Sequence, residues 1–212
     1  TNLKAEQKDV NKAHFIGNTM IDTLMAFQPV FDKSSIAKRL GIPDHFALAT
    51  FHRPQNVDEE SALIKVTGIL QSAANELPVV LPMHPRTRKK LEAFGLIDSL
   101  QKNQNLILTD PLGYLDFMHL IKNAAFVITD SGGIQEETTF MQVPCITVRP
   151  NTERPITIDV GTNTLVELDI QHVMALITQI LEGHYKKGAI PPMWDGKASE
   201  RLTKVVADYL IG

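Results

Sequence analysis

Short apolar runs alternate along this chain with stretches whose apolar residues recur three and four positions apart. Runs at 46–51, 79–83, 106–109, 126–129, 145–148 and 164–166 predict strands. Between them, Leu63, Val66, Ile69, Leu70 and Ala73 share one helical face, so a helix is expected from an Asp58 cap to about Leu77. Leu115, Met118, Leu120 and Ile121 mark a second helix, and 134–141 a third. Val173, Leu176, Ile177, Ile180 and Leu181 give the clearest period, over 170–182, and a last helix is expected at 199–210. Strand, helix, strand in strict alternation predicts an α/β fold, a Rossmann-like parallel sheet with flanking helices; continuous rather than alternating apolar strands fit burial on both sheet faces. The opening, through Gly41, reads as helices capped by Asn18 and Ser34, and 187–196 as an irregular stretch. The expected division is 1–41 as linker and N-terminal helices, and 42–212 as the sheet domain with its C-terminal helix.

Composition narrows the picture. With 212 residues, 43% of them hydrophobic, the chain can core one α/β domain with some added helix. A formal charge of −3, from 21 basic and 24 acidic residues, is spread without long blocks, and the densest cluster, Arg86-Thr87-Arg88-Lys89-Lys90, reads as the start of an amphipathic helix. Nucleic acid and anionic membrane are therefore not expected partners. A single cysteine, Cys145, excludes an internal disulfide and a multi-cysteine metal site. No apolar run approaches the about 18 residues of a membrane span, and no charged-then-apolar leader opens the chain, so a cytoplasmic setting is expected. Thr1 to Glu6 reads as the middle of a helix with neither Met nor a cap, as in a fragment of a longer protein.

Candidate chemistry gathers where predicted strands end. Thr129-Asp130-Ser131-Gly132-Gly133 joins a strand to a helix. The first N–H groups of a helix lack internal partners and carry partial positive charge; glycines let an anion approach them, and the Ser131 hydroxyl can cap the helix or bond a ligand oxygen. A diphosphate fits such a place; an ordinary turn needing glycine dihedrals fits it too. Glu137, six residues past Ser131, can accept from vicinal hydroxyls or simply complement the helix start. His52 and His84 follow two other strands, and a histidine there can bond phosphate or move a proton. Arg154, in Thr152-Glu153-Arg154-Pro155, can fork onto an oxyanion or pair with an internal acid. Tyr114 and Phe117, after Asp110-Pro111-Leu112-Gly113, can hold a base or pack as core. All these loops come after strands, which puts them on one sheet edge.

TDSGGIQEET, followed by VPCITVRPNTERPITIDVGTN, closely resembles the non-hydrolysing UDP-N-acetylglucosamine 2-epimerases. IGNTMIDTL, HRPQNVD, DPLGYLDF and WDGKASERL agree and stand in the family's order, so the likeness runs from about Ile16 to the end. It implies the C-terminal half of a GT-B-type fold, two Rossmann-like domains facing across a cleft. It also implies that Ser131, Gly132 and Gly133 contact the diphosphate of a UDP-sugar, Glu137 the ribose, Phe117 the uracil, and Arg154 and His52 the phosphates or sugar. His52 is the catalytic candidate in this half. The family reaction inverts C2 of UDP-GlcNAc to give UDP-ManNAc through UDP elimination and re-addition, without metal or redox cofactor. The resemblance further implies a missing N-terminal domain bearing the acidic catalytic residues, loss of activity in this half alone, and a homodimer at full length. Two departures stand out: Leu112 replaces a glutamine of many bacterial members, and Arg53-Pro54-Gln55 replaces Arg-Arg-Glu. Alternatives are an epimerase of another UDP-2-acetamido sugar, a nucleotide-binding module, and a glycosyltransferase donor domain.

Overall fold

The computed structural model describes residues 5–211; most of the opening run expected to be helix interior, residues 1–4, lies outside them. After a 3-10 turn at Val10–Lys12 come α1 (Thr19–Phe31), α2 (Ile36–Leu40), β1 (Ala47–Thr50), α3 (Pro54–Val57), α4 (Glu60–Glu76) and β2 (Val79–Pro82). The chain continues through α5 (Pro85–Ala93), α6 (Ile97–Gln101), β3 (Leu106–Thr109), α7 (Tyr114–Asn123), β4 (Phe126–Thr129) and α8 (Gly132–Met141). It closes with β5 (Cys145–Val148), α9 (Pro155–Asp159), β6 (Asn163–Val166), α10 (Ile170–Leu181) and α11 (Ala198–Ile211).

Each apolar run forms a strand, and the six strands make one parallel sheet in the order β3-β2-β1-β4-β5-β6. Central β2, β4 and β5 are buried throughout, while edge strands β3 and β6 are partly open, as helices on both faces dictate. Leu63, Val66, Ile69, Leu70 and Ala73 of α4 are all buried, as their spacing predicts. Gly68 lets α10 press against α4, since a Cβ there would meet Ile170 Cδ1 at 2.7 Å.

Chain direction reverses its course across the sheet between β1 and β4. Their register pairs Thr50 with Thr129, and Thr129 in turn with Thr147 of β5. Three strands therefore stop level, and the loops leaving them meet at one edge. In doubly wound sheets that crevice is where ligands bind.

Several helix boundaries differ from expectation. Asp58 does not cap α4; it closes α3, and Glu59 precedes α4 without a side-chain cap. The Asp58 carboxylate is taken by Arg86, whose Nε donates at 2.8 Å and Nη2 at 2.5 Å. Ser34 Oγ accepts from the Ile36 N–H at 3.2 Å and donates to Asp116 at 2.5 Å, while the residue directly before α2 is Ser35. Asn18 does cap α1, accepting from the Met20 N–H at 2.9 Å. α8 begins at Gly132, two residues earlier than expected, so both glycines sit in its first turn.

The chain divides into two compact units, one formed by Phe27–Pro191 and the other by Thr1–Ala26 with Pro192–Gly212. The larger holds the whole sheet. In the smaller, Asp22 accepts from the N–H groups of Ala198 at 3.1 Å and Ser199 at 2.6 Å, capping α11. Arg201 pairs with Asp195 and donates to the Ile16 carbonyl at 3.1 Å. Gly17, with φ +97°, is required here: a Cβ would stand 2.3 Å from the Met193 carbonyl oxygen. IGNTMIDTL and WDGKASERL, distant in sequence, thus fasten each other.

Candidate functional site

Asp130 is the hub of the crevice. It comes directly after β4, is fully buried, and its carboxylate accepts from the His52 N–H at 3.1 Å, the Arg53 N–H at 2.9 Å and Asn56 Nδ2 at 3.1 Å. Burial opposes its charge, yet these donors and the His52 side chain prevail and hold it below the ordinary carboxylate range. His52 Nδ1 lies 3.0 Å from Asp130 Oδ1. An ionised carboxylate only accepts, so Nδ1 carries the proton and Nε2 is left for a ligand. Asn56 also donates to the Val148 carbonyl at 3.1 Å, tying the loop after β1 to the end of β5. The local sequence explains the geometry: Arg53 is extended and Pro54 sets the first turn of α3, which turns the His52 and Arg53 amides toward Asp130.

Ser131 is extended, and its hydroxyl makes no cap bond to α8. Its N–H is bound to Thr129 Oγ1 at 3.0 Å, and Gln135 Nε2 donates to its carbonyl at 3.1 Å. Gly132 and Gly133 begin the helix, where N–H groups have no intrahelical acceptor. Leu112, Phe117, Ser131, His52, His84 and Ile134 line one cleft of about 230 Å³ beside this entrance. The rings of His52 and His84 are 5.5 Å apart. His84 caps α5, its Nδ1 accepting from the Arg86 N–H at 3.1 Å.

Glu137 lies in the second turn of α8 and is buried. Burial, and then the neighbouring Glu136 charge, push its pKa up to about 7. Burial, followed by the Glu137 charge, also raises the Tyr114 hydroxyl at the start of α7. Arg154 does not line the cleft; its Nε lies 3.1 Å from Glu136 Oε2. A polar network fixes its loop. Thr152 Oγ1 donates to Gln135 Oε1 at 2.6 Å, Asn163 Nδ2 donates to the same oxygen at 3.1 Å, and Thr147 Oγ1 donates to Asn163 Oδ1 at 2.6 Å. The Arg154 N–H in turn donates to Thr152 Oγ1 at 3.0 Å.

Asp130, Asn56, Gln135 and Asn163 build the site without having stood out in the sequence. Asp130 carries one available signal: an acid directly after a buried strand, before two glycines. The others depend on contacts across elements that spacing does not encode. Among the described residues, no group of three or more His, Cys, Asp or Glu side chains is arranged to hold a metal ion. No helix there is long and apolar enough to cross a membrane.

A six-stranded doubly wound parallel sheet with a glycine-started helix, a histidine–aspartate pair and arginines at its switch point defines a Rossmann-type domain. The family model for UDP-N-acetylglucosamine 2-epimerase matches residues 1–207. The chain belongs to that family. A curated UDP-N-acetylglucosamine 2-epimerase of Methanocaldococcus jannaschii is 35% identical over 211 residues, covering 97% of this chain and 57% of the relative. A Pseudomonas aeruginosa UDP-2,3-diacetamido-2,3-dideoxy-D-glucuronate 2-epimerase is 36% identical over 168 residues, covering 78% and 45%. The crystal structure of the M. jannaschii UDP-GlcNAc 2-epimerase in complex with UDP-GlcNAc and UDP superposes with a TM-score of 0.86 at 33% identity, over 98% of this chain and 58% of that one. The chain thus spans roughly half the length of these relatives.

Proposed function

We propose that this chain is the UDP-binding portion of a UDP-N-acetylglucosamine 2-epimerase. The observation that carries the reading is the entrance of α8. That helix starts at Gly132 and Gly133, and Ser131 before it shares one cleft with His52, at the switch point of a sheet whose relatives include an epimerase crystallised with UDP-GlcNAc and UDP. On this reading the diphosphate sits over Gly132 and Gly133, with the Ser131 hydroxyl donating to it. Glu137 accepts from the ribose hydroxyls, and the uracil lies in the cleft between Phe117 and Leu112. Leu112 offers the base an apolar wall where many relatives have a glutamine.

The reaction proceeds by loss of the C2 proton to a base while the C1–O bond breaks and its electron pair leaves with the UDP oxygen. Re-addition of UDP to the resulting glycal, with a proton delivered to the opposite face of C2, completes the inversion. With a proton on each ring nitrogen His52 donates from Nε2, and it and the α8 entrance then stabilise the charge gathering on the departing diphosphate. Arg154 lends its positive charge to the same region. An acid and a base on both faces of C2 require a second wall to the cleft, supplied by a preceding domain, so the chain alone binds without turnover. The full-length protein is a cytoplasmic homodimer on this reading. The diacetamido-uronate relative supports a second version in which the chemistry is kept and the sugar differs.

Calorimetry tests the assignment. UDP should bind the 212-residue chain, and Ser131→Ala and Glu137→Ala should each weaken binding about 10-fold or more, as loss of a hydrogen bond involving a charged group does. Equal affinity in all three proteins would remove it.

A further inference from the structure

The loop after β5 brings a second set of charges to the same helix. Glu153 Oε2 lies 2.9 Å from Arg149 Nη2, and Glu153 Oε1 lies 3.6 Å from Arg53 Nη2. A Cβ built on Gly132 would stand 2.6 Å from Glu153 Oε1 and 3.9 Å from Arg53 Nη2. The carboxylate therefore rests against the first turn of a ten-residue helix, between two guanidinium groups.

Arg149 adds an independent sign. It comes directly after β5, its side chain is only 9% exposed, and its Nη1 has no hydrogen-bond partner among the described residues. Buried donors are nearly always satisfied, and this idle nitrogen belongs to the guanidinium that holds Glu153 against the helix entrance, so that guanidinium can take an acceptor beyond the carboxylate. One carboxylate satisfies only part of what this corner offers: two guanidinium groups and the positive end of a helix.

We propose that Glu153 is an internal stand-in for the substrate's diphosphate, holding Arg53 and Arg149 at the α8 entrance until a nucleoside diphosphate displaces it and takes Arg149 as a direct phosphate ligand. The proposal rests on the UDP site described above and names two further residues of it. A diphosphate brings more negative charge and more acceptor oxygens than a carboxylate, so it can satisfy the donor Glu153 leaves idle. Glu153 has somewhere to go, because its side chain is 43% exposed. Before displacement it keeps two like-charged arginines from repelling each other; after displacement it opposes the phosphates by charge. Glu153 is thus a positioning residue that competes with the ligand, and Arg149 a binding residue.

Titrating UDP into the chain and into Glu153→Gln separates the possibilities. Removing the competing charge should tighten UDP binding by about 10-fold. Unchanged or weaker binding would overturn the proposal, because it would make Glu153 a bystander or a plain support for the arginines. A crystal structure with UDP gives a second readout. The Arg149 Nη2 to Glu153 Oε2 distance should open from 2.9 Å to beyond ion-pair range, with Arg149 on a phosphate oxygen. A closed pair with UDP in place would sink the idea even if the affinities agreed. Failure of both folded proteins to bind UDP would instead remove the underlying site assignment, and this proposal with it.

Discussion

Two buried carboxylates only seven positions apart in the chain have opposite protonation behaviour, and neither composition nor spacing distinguishes them. Asp130 is held below the usual range because donors from His52, Arg53 and Asn56 outweigh its burial. Glu137 rises to about 7 because burial and the Glu136 charge act in the same direction. Between the ordinary glutamate value of 4.5 and about 7, the folded chain therefore binds more protons at Glu137 than the unfolded chain does. Its contribution to stability is whole below the unfolded value and is lost as pH rises through the folded one. Glu137→Gln should consequently match the parent near pH 4 and exceed it by about 3 kcal/mol at pH 8. Urea unfolding at both pH values measures the difference, and parallel pH curves for the two proteins would refute it. The same substitution weakens UDP binding on the proposed reading, so a residue kept for a ligand costs the empty domain stability.

At the scale of elements, the strands and long helices were legible and the short ones were not. Apolar runs marked every strand because a parallel sheet covered on both faces needs continuous apolar sequence. α3, α6 and α9 have only four or five residues each, too few for a period to show. Two of them, α3 and α9, begin with proline, which can be read equally well as a turn. Asp58 illustrates a different limit. It had the chemistry of a cap, but Arg86, from the far side of a strand, competed for its carboxylate. Close approach of elements is just as hidden. Gly161 lies just past α9, and a Cβ there would stand 2.3 Å from Thr139 Oγ1 of α8 and 2.6 Å from the Thr157 carbonyl oxygen. Gly161→Ala should therefore destabilise the domain by about 1–3 kcal/mol through overpacking. Thermal unfolding indistinguishable from the parent's would show that the two helices can part without penalty.

For the whole molecule, the decisive feature is the level ending of β1, β4 and β5 at the switch point. It makes half a catalytic cleft on the proposed reading. The chain matches about 57% of its M. jannaschii relative, and the remainder is proposed to supply the opposite wall. Joined to that remainder, the protein should turn over UDP-N-acetylglucosamine in deuterium oxide with deuterium appearing at C2, followed by NMR. The present chain should bind UDP and leave the sugar unchanged. Turnover by this chain alone would defeat the two-walled mechanism, and turnover without deuterium at C2 would point to another reaction.

Sequence alone determined the α/β class, the six strands, a helix close after the two glycines and the family, because each is written in near neighbours: period, apolar runs, and short ordered motifs. It also located His52, Ser131 and Phe117 after strands. The tertiary structure decided which of these side chains meet. It set Asp130 behind His52, drew Arg154 to Glu136, and laid Glu153 against Gly132 between Arg53 and Arg149. Charge pairing acts through space and depends on burial, so its outcome is settled only when the order of strands in the sheet brings distant loops to one edge.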